Sequence, residues 1–235
     1  GYEVNDIVLQ PLASSYSVLS EEEKEVGSIL IDIGGGTTDM AIFYNGSLRK
    51  TSVIGLGGEN LTSDIGVGLR TSPREAERIK LDYATVEKNP AMSDEDMIEV
   101  QGLSGRGSKQ GSFGLLKQIV KPRMEEIITL AHRELSEDSL YEMLSAGIIL
   151  TGGTAKLKGI ADLAEGIFGL PVRVGIPSEN ITGLRDAVSD PSFATCVGLI
   201  KYGSTHAGKR LKQLKGKSMF DTVLKRMKQW FEEFF

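Results

Sequence analysis

The chain has 235 residues, of which 40% are hydrophobic and 25% are charged, as in an ordinary globular protein with room for one large domain or two small ones. Its one cysteine, Cys196, excludes an internal disulfide, and its two histidines, His132 and His206, are too far apart in sequence to suggest a metal cluster. No window of about 20 apolar residues predicts a membrane-spanning helix. The first residues lack the basic start and apolar core of a signal peptide.

The net charge of −5 conceals two regions of opposite sign. Residues 208–235 contain eight basic and three acidic side chains, whereas the rest of the chain contains 19 basic and 29 acidic ones. An acidic body joined to a basic terminal segment predicts that this segment seeks an anionic surface.

From the start of the chain, the spacing of apolar residues predicts a helix, a solvated charged connection and a meander of three antiparallel strands. Asn45 and Gly46 predict the tight turn between the second and third strands. In chain order these elements are the helix 12–19, the connection 20–26 and the strands 29–33, 40–44 and 48–54.

The turn between the first two strands has an unusual composition. Three consecutive glycines at positions 34–36 allow positive φ and leave no Cβ atoms in the way, so their N–H groups can close on an anion. Thr37 and Thr38 add hydroxyl donors, and a carboxylate such as Asp32 or Asp39 beside the turn suits a hydrated Mg²⁺. The pattern indicates a phosphate loop, and the alternative is an ordinary β-hairpin whose glycines only make the turn. Neither G-x-x-x-x-G-K-[ST] nor a helix-opening G-x-G-x-x-G is present.

Two helices are predicted next. Gly57 and Gly58 precede the first, and they either approach a ligand or form a flexible loop. The sequence Ser-Pro-Arg-Glu at 72–75 predicts the start of the second, with a serine cap, a proline in the first position and a capping-box glutamate. Glu77 and Lys80 lie three residues apart on that helix, where a surface ion pair is the ordinary interpretation.

The remaining chain mixes a polar region with strands and helices. Residues 88–112 are polar and contain a short strand at 98–100, followed by a loop at 102–114. A long amphipathic helix then has Pro122 near its start, where a bend or break is expected. The further predicted elements are the helices 115–135, 139–144, 160–168 and 191–202 and the strands 147–150 and 171–175.

A second glycine motif follows the strand that ends at Leu150. This motif, Gly152, Gly153 and Thr154, would place backbone that carries little or no side chain against a flat ligand. It lies at the carboxyl end of a strand, where α/β folds bind nucleotides. Two separate glycine motifs of this kind therefore predict one nucleotide site.

At about 100° per residue, the last 18 residues predict a helix with two segregated faces. The basic segment 208–217 before it is poor in large apolar groups and predicts a flexible linker. An aromatic-rich face beside lysines is typical of an interfacial membrane anchor, and the alternative is a helix that packs on its own domain or on a partner protein. The predicted membrane-facing residues are Met219, Phe220, Val223, Leu224, Met227, Trp230, Phe231 and Phe234.

These motifs resemble those of a known superfamily. The stretch from Asp32 to Asp39 is similar to D-x-G-[GA]-[GS]-T-[TS]-D, the second phosphate loop of the actin, Hsp70 and hexokinase ATPases, and residues 150–155 are similar to their adenosine motif, [LIVM]-x-G-G-x-[SA]. The segments GGENLTSDIGVGLRTSPREAERIKLDY and VKPRMEEII and the W-F-x-x-F-F ending resemble the FtsA family of bacterial cell-division proteins. That family also has a first half with another phosphate loop and an inserted subdomain, so we expect either a piece of a longer protein or a partner chain that supplies the rest.

The resemblance implies an α/β fold, namely half of an actin-like (ribonuclease H-like) ATPase with a mixed five-stranded sheet flanked by helices, a smaller α/β lobe and a C-terminal amphipathic helix. The implied domains are 1–26, the end of the first half and a connection; 27–72 and 145–207, the nucleotide-binding subdomain; 73–144, the smaller partner-binding lobe; 208–217, the basic linker; and 218–235, the membrane-targeting helix.

The resemblance also implies roles for single residues, none of them catalytic. The first glycine turn would hold the β- and γ-phosphates of ATP, with Asp32 near Mg²⁺ or the attacking water, and the second would face the adenosine. Glu77 and Lys80 would border the base and sugar. Arg123 on the long helix is either a partner contact or a solvated arginine. The residues expected to bind the nucleotide are Asp32, Gly34, Gly35, Gly36, Thr37, Thr38, Gly57, Gly58, Glu77, Lys80, Gly152, Gly153 and Thr154.

For function, the resemblance implies an ATP-binding protein, with at most weak ATPase activity, that polymerises like actin and tethers the FtsZ ring to the cytoplasmic membrane at the division site. Expected partners are the C-terminal peptide of FtsZ, further copies of the protein, the anionic membrane surface and other divisome proteins, with no nucleic acid. The alternatives are a pilus-assembly ATPase, a small-molecule kinase and an Hsp70-like chaperone of the same superfamily. The amphipathic tail argues against the first two, and the lack of a substrate-binding β-domain in this sequence argues against the third.

Overall fold

The computed structural model describes residue 4 and residues 6–102, 107–177 and 185–216. In this part of the chain the strands are β1 (Ser28–Ile33), β2 (Thr38–Tyr44), β3 (Ser47–Ile54), β4 (Met97–Val100), β5 (Lys109–Ser112), β6 (Ile148–Thr151) and β7 (Val172–Val174). The helices are α1 (Gln10–Val18), α2 (Glu21–Val26), α3 (Gly58–Gly68), α4 (Pro73–Tyr83), α5 (Phe113–Ser136), α6 (Ile160–Phe168), α7 (Arg185–Val188) and α8 (Ala194–Gly216). Short 3₁₀ helices lie at Tyr141–Met143, Gly153–Lys156 and Pro191–Phe193.

Five strands form one mixed sheet in the order β3-β2-β1-β6-β7. The β1–β2 and β2–β3 pairs are antiparallel, whereas β6 runs parallel to both β1 and β7. The predicted α/β class with a mixed five-stranded sheet is therefore confirmed. The central strand β1 is buried along its whole length, which explains its nearly continuous apolar sequence.

Two apolar clusters cover the two faces of the sheet, because successive side chains of a strand point to opposite faces. Ile29, Ile31 and Ile33 face the cluster that includes residues of α3, α5 and α6. Leu30 of β1 and Phe43 of β2 face the opposite cluster, to which Val18 of α1 and Ala194 of α8 belong.

A smaller unit built on α4, α5 and a two-stranded sheet continues the larger of these clusters. Ile98 and Val100 of β4 are buried in it together with Phe113 and Met124 of α5. The loop predicted at 102–114 is wrong in part, because Lys109–Ser112 pairs with β4 as β5. Its glycine, serine and glutamine content gives little β-propensity, so the pairing comes from tertiary contacts.

The charged connection predicted at 20–26 is also wrong, because Glu21–Val26 forms α2. Its start is a capping box: the Ser20 hydroxyl accepts from the Glu23 N–H, and the Glu23 carboxylate accepts from the Ser20 N–H. At α4 the predicted Ser72 cap forms, but Glu75 binds Arg78 and the Gln101 N–H instead of completing a capping box.

Two helices run further than expected. The helix α5 is continuous through Pro122. The helix α8 continues to Gly216, so residues 208–216 are helical where the sequence predicted a flexible linker at 208–217. Lysine, arginine, leucine and glutamine are all good helix formers, which accounts for the continuation. The domain boundaries themselves stay a prediction, and the amphipathic helix 218–235 lies outside the described residues.

Candidate functional site

The sheet topology brings the two glycine motifs together. Strands β1 and β6 are parallel neighbours, with Asp32 opposite Thr151 near their carboxyl ends. Gly34 follows β1 and Gly152 follows β6, so the two turns leave the same edge of the sheet side by side. This is the edge at which α/β sheets bind ligands.

A third glycine segment joins them at the start of α3. The Gly34 carbonyl oxygen accepts from the Gly58 N–H at 2.9 Å and from the Thr154 hydroxyl at 3.1 Å, and the Gly35 carbonyl oxygen accepts from the Glu59 N–H at 2.8 Å. A Cβ atom on Gly57 would lie 2.5 Å from the Gly35 carbonyl oxygen, so no larger residue fits there. Two backbone hydrogen bonds and one from the Thr154 hydroxyl therefore hold the three segments in one arrangement.

A cavity of about 820 Å³ opens over this junction. On one side it is bounded by α4 and the residues that follow it, including Tyr83, Thr85 and Met92, and on the other by the 3₁₀ turn Gly153–Lys156. Of the residues predicted to bind a nucleotide, those that line the cavity are Gly34, Gly35, Gly58, Glu77, Lys80, Gly153 and Thr154.

The other predicted residues do not line the cavity. Gly57 packs on the first turn, and Gly152, with φ of +88°, packs on Asp32, which leaves no space for a Cβ. Gly36 and Thr37 are exposed in the turn, and the Thr37 hydroxyl donates to Asp39. The Thr38 hydroxyl is turned inward and donates to the Leu56 carbonyl oxygen.

Asp32 is a buried carboxylate on the other face of the sheet, only 2% exposed. Its Oδ2 accepts from the Ser14 hydroxyl at 2.7 Å and from the Thr195 hydroxyl at 3.1 Å. Burial raises the pKa of Asp32, and the hydrogen bonds from Ser14, Gln10 and Thr195 oppose that rise. Asp32 therefore lies near the end of β1. Burial disfavours its ionised form, and hydrogen-bond donors from α1 and α8 stabilise that form.

These side chains bear on whether a magnesium ion fits here. Among the described residues, no three acidic, histidine or cysteine side chains are grouped to hold a metal ion. Asp32 and Asp39 are register partners at the ends of β1 and β2, and Mg²⁺ commonly binds through one or two carboxylates while keeping waters and phosphate ligands. Neither carboxylate lines the cavity, so an ion bound there would be held mainly by the phosphates of a nucleotide and by waters.

Glu77 and Lys80 form a small network on the α4 wall of the cavity. The Lys80 ammonium lies 2.8 Å from the Glu77 carboxylate and donates to the Gly58 carbonyl oxygen and the Thr62 hydroxyl. Burial acts to raise the pKa of Glu77, but the Lys80 ammonium and the Thr62 hydroxyl outweigh it, so the pKa lies below its ordinary value. The ion pair predicted from the sequence thus exists and also ties α4 to the glycine segment.

Several cavity residues carry chemistry that the sequence did not indicate. Glu59 lies beside Gly35, and Lys156, Lys158 and Ser192 also line the cavity. The one available signal for the two lysines was their place directly after the second glycine motif. Ser192 comes from a turn far along the chain, and no local pattern indicated it.

Arg123 lies at a different surface, in a groove between α3 and α5. Its guanidinium binds Asp64 of α3, with an Nε–Oδ2 distance of 2.5 Å, and also Glu126. The hydrogen bond from Arg123 to Asp64 is the main cause that raises the pKa of Arg123. The groove is lined by Asp64, Val67, Gly68, Ile119, Pro122, Arg123 and Glu126, and Val67 is 77% exposed.

The eight residues predicted to face a membrane, Met219, Phe220, Val223, Leu224, Met227, Trp230, Phe231 and Phe234, lie outside the described residues. In the part of the chain that the structure describes, no helix combines the length and apolar character needed to cross a bilayer.

Comparison with known proteins gives a consistent family. The family model described as "Cell division protein FtsA" matches residues 29–198. Cell division protein FtsA of Pseudomonas aeruginosa is 42% identical over 238 residues, which cover 99% of this chain and 57% of the relative. FtsA of Escherichia coli K12 is 36% identical over 244 residues, covering 100% and 58%. The chain thus spans a little over half the length of these relatives.

Solved structures match in fold. MreB5 of Spiroplasma citri bound to ADP has a TM-score of 0.69 at 22% identity, covering 86% of this chain and 60% of that one. The PilM–PilN type IV pilus biogenesis complex has a TM-score of 0.63 at 19% identity, covering 85% and 53%. At these identities the likeness concerns the fold, which is shared with the actin-like proteins.

Proposed function

Because the chain belongs to the FtsA family of cell division proteins, we propose that it is the nucleotide-binding part of an actin-like protein that polymerises and tethers the FtsZ ring to the cytoplasmic face of the membrane at the division site. The family is supported by identity over nearly the whole chain. The activity and partners are proposals, since the chain spans 57% of the P. aeruginosa relative.

The observation that carries the nucleotide assignment is that Gly34, Gly35, Gly58 and Gly153 line one cavity. Of these four glycines, Gly153 gives the strongest support for a ligand. Its φ is not in the positive range, and an added Cβ would meet only the Ser192 Cβ, at 3.9 Å. The fold therefore does not itself demand glycine at this position, whereas a ligand lying flat on the backbone would.

In this assignment the phosphates of ATP lie at the first glycine turn, against the N–H of Gly35, because that of Gly34 already donates to the Thr37 carbonyl oxygen. The adenosine lies along Gly153 and Thr154. Glu77 and Lys80 border the sugar. If Mg²⁺ binds together with the phosphates, it would keep most of its waters, and Asp32 is the carboxylate proposed to hold one of them. MreB5 of Spiroplasma citri, whose structure with ADP shares this fold, supports a nucleotide here.

The partner assignments rest on two further regions. The groove around Arg123 combines an exposed valine with a basic side chain, and it is proposed to bind a short peptide with apolar residues such as the C-terminal peptide of FtsZ, whose acidic groups would compete with Asp64 and Glu126 for the guanidinium. The terminal amphipathic sequence is proposed to bind the anionic membrane surface. Filament contacts with further copies and contacts with other divisome proteins follow from the family.

The nucleotide proposal is tested with Gly153→Val, using titration calorimetry with Mg-ATP on the purified chain. We expect an affinity loss of at least about tenfold, equivalent to 1.4 kcal/mol, with an unchanged melting temperature. Gly55→Val is the matched control, because Gly55 also lacks a positive φ and has open space at Cβ but does not line the cavity. Equal ATP affinity in Gly153→Val and the parent chain would remove the assignment.

A pilus-assembly ATPase is the second candidate, favoured by the fold likeness to the PilM–PilN complex. It is the weaker one, because identity to that structure is 19% and identity to the P. aeruginosa FtsA is 42%.

A further inference from the structure

The carboxylate of Glu59 lies directly on the first glycine turn. The Glu59 N–H donates to the Gly35 carbonyl oxygen at 2.8 Å, which holds the start of α3 on this turn. The Glu59 side chain lies against the same residue, since a Cβ atom on Gly35 would be 3.1 Å from its Oε1 and 3.6 Å from its Cδ. The carboxylate therefore lies beside the backbone at which the phosphates of a nucleotide are proposed to bind.

Glu59 differs from the other acidic residues of the cavity in having no partner. Among the described residues, four carboxylates line the cavity. The donors that bind the other three are the Lys80 ammonium for Glu77, the Arg78 guanidinium for Asp82 and the Thr85 hydroxyl for Glu87. The Glu59 carboxylate makes no ion pair or hydrogen bond with the part of the chain that the structure describes. A negative charge without a partner thus faces the cavity at the first glycine turn.

An acidic residue in the first turn of a helix also has an ordinary role, because it stabilises the positive end of the helix dipole. Glu59 is in the first turn of α3 and can have this role. A carboxylate directed to solvent would serve the dipole equally well, so this role does not account for the place of the side chain against Gly35. The two roles also predict different results in a binding experiment.

Phosphates bound at Gly35 would bring several negative charges close to the Glu59 carboxylate. Like charges that face each other weaken binding. A divalent cation bound to the phosphates would change this contact to an attractive one, because Mg²⁺ accepts carboxylates as ligands, directly or through its waters. Asp32 and Asp39 do not line the cavity, so neither can replace Glu59 at this place.

We propose that Glu59 makes nucleotide binding depend on a divalent cation, because its carboxylate opposes the phosphates of metal-free ATP and attracts Mg-ATP through the metal. This role rests on the proposed nucleotide binding, and it assigns selection of the metal-bound form to one residue. The Glu59 side chain is exposed, so water and salt screen its charge, and the expected effect is between a few-fold and about tenfold.

Titration calorimetry on the purified chain tests this role, with ATP in EDTA and ATP in excess Mg²⁺. The quantity compared is the ratio of the two dissociation constants. Glu59→Gln removes the charge but keeps the length of the side chain and a good helix former, whereas Glu59→Asp keeps the charge. Glu87→Gln is the matched control, since it removes the same charge from another part of the cavity lining, beside Gly159. The melting temperature of each protein without ligand is measured as well.

We expect Glu59→Gln to bind metal-free ATP about three- to tenfold more tightly than the parent chain and Mg-ATP no more tightly, so that the ratio falls at least about threefold. Glu59→Asp should keep most of the metal dependence. Glu87→Gln should keep a ratio within about twofold of that of the parent chain, because a more distant charge is screened.

Glu59 does not have this role if the ratio is the same in Glu59→Gln and the parent chain, or if Glu87→Gln lowers it as much. A lower melting temperature of Glu59→Gln with an unchanged ratio would leave only the helix-dipole role. Equal binding of ATP and Mg-ATP by the parent chain would also overturn it.

The failure of this role and the failure of the proposed function are distinguishable. If the parent chain binds neither ATP nor Mg-ATP, the proposed function fails and the role of Glu59 fails with it. If the parent chain binds both and the ratio does not respond to Glu59→Gln, nucleotide binding stands and the role of Glu59 alone is wrong.

Discussion

The hydroxyl of Thr154 donates a hydrogen bond to the carbonyl oxygen of Gly34 across 3.1 Å, although 120 residues separate the two. The bond joins the turn after β6 to the turn after β1, and Gly58 donates to the same oxygen. It therefore fixes the distance between the segments proposed to hold the phosphates and the adenosine.

Thr154→Val removes this bond while keeping the shape of the side chain. We expect a loss of about 1 kcal/mol in the free energy of unfolding and a several-fold weaker Mg-ATP affinity, because the two turns lose their shared anchor. Urea unfolding and calorimetry measure the two effects. Thr205→Val is the control, since the Thr205 hydroxyl bonds only within α8 and to His206. An unchanged ATP affinity in Thr154→Val would show that the bond does not position the ligand.

The ion pair between the Lys156 ammonium and Oδ2 of Asp190, which lie 2.6 Å apart, predicts how the stability of the fold depends on pH. Asp190 has a pKa of about 2 in the folded chain against an ordinary value of 3.8. A lowered pKa means that the pair stabilises the fold above about pH 4 and loses this contribution as the pH falls through 2. We expect Asp190→Asn to unfold at lower urea than the parent chain at pH 6, and the gap to narrow at pH 2.5. A gap that stays constant between these pH values would contradict the assignment.

Gly198 of α8 packs on the backbone of α1. A Cβ atom there would lie 1.8 Å from the Ala13 carbonyl oxygen, so Gly198→Ala must push the helices apart. We expect a loss of about 1–3 kcal/mol in the free energy of unfolding, seen as a lower urea midpoint with an unchanged slope. Gly203→Ala, on the same helix with open space at Cβ, should instead gain about 0.5–1 kcal/mol. Similar changes in the two variants would rule out this close helix contact.

Arg123→Glu tests the groove between α3 and α5. A glutamate there would face Asp64 and Glu126, so a peptide with acidic residues should lose about tenfold or more in affinity. Fluorescence anisotropy with a labelled FtsZ C-terminal peptide measures this loss. Lys121→Glu makes the same charge change on the same helix outside the groove. Equal losses in both variants would point to general charge repulsion and not to a site.

The terminal sequence is tested with two double variants of equal charge. Trp230→Glu with Phe231→Glu places carboxylates on the apolar face, and we expect this to abolish co-sedimentation with vesicles of anionic phospholipid. Thr222→Glu with Gln229→Glu adds the same charge to the polar face and should retain most of the binding. If both bind like the parent chain, the helix packs elsewhere and the anchor is wrong.

The two glycine turns show most clearly what the local sequence could predict. The β-branched run before Gly34 and the strand before Gly152 were predicted with their types and order, because burial and glycine content are local properties. The helix 160–168 was predicted with the bounds that α6 has. The family resemblance, read from the same motifs, predicted the five-stranded sheet.

The local sequence could not predict contacts between segments that are distant along the chain. Thr37 and Thr38 were expected beside a phosphate, but the Thr38 hydroxyl donates to Leu56 and neither residue lines the cavity. The strand Lys109–Ser112 exists only through its pairing with β4. Ser192 and Lys156, which are 36 positions apart in sequence, both bind the carboxylate of Asp190.

The residues alone determined which segments are strands and helices and which turns are rich in glycine, because those properties depend on neighbours within a few positions. Tertiary structure alone decided which of the predicted residues share one cavity. The parallel register of β1 with β6 sets that outcome, since it places the Gly34 and Thr154 turns at one edge, and no short-range pattern encodes it.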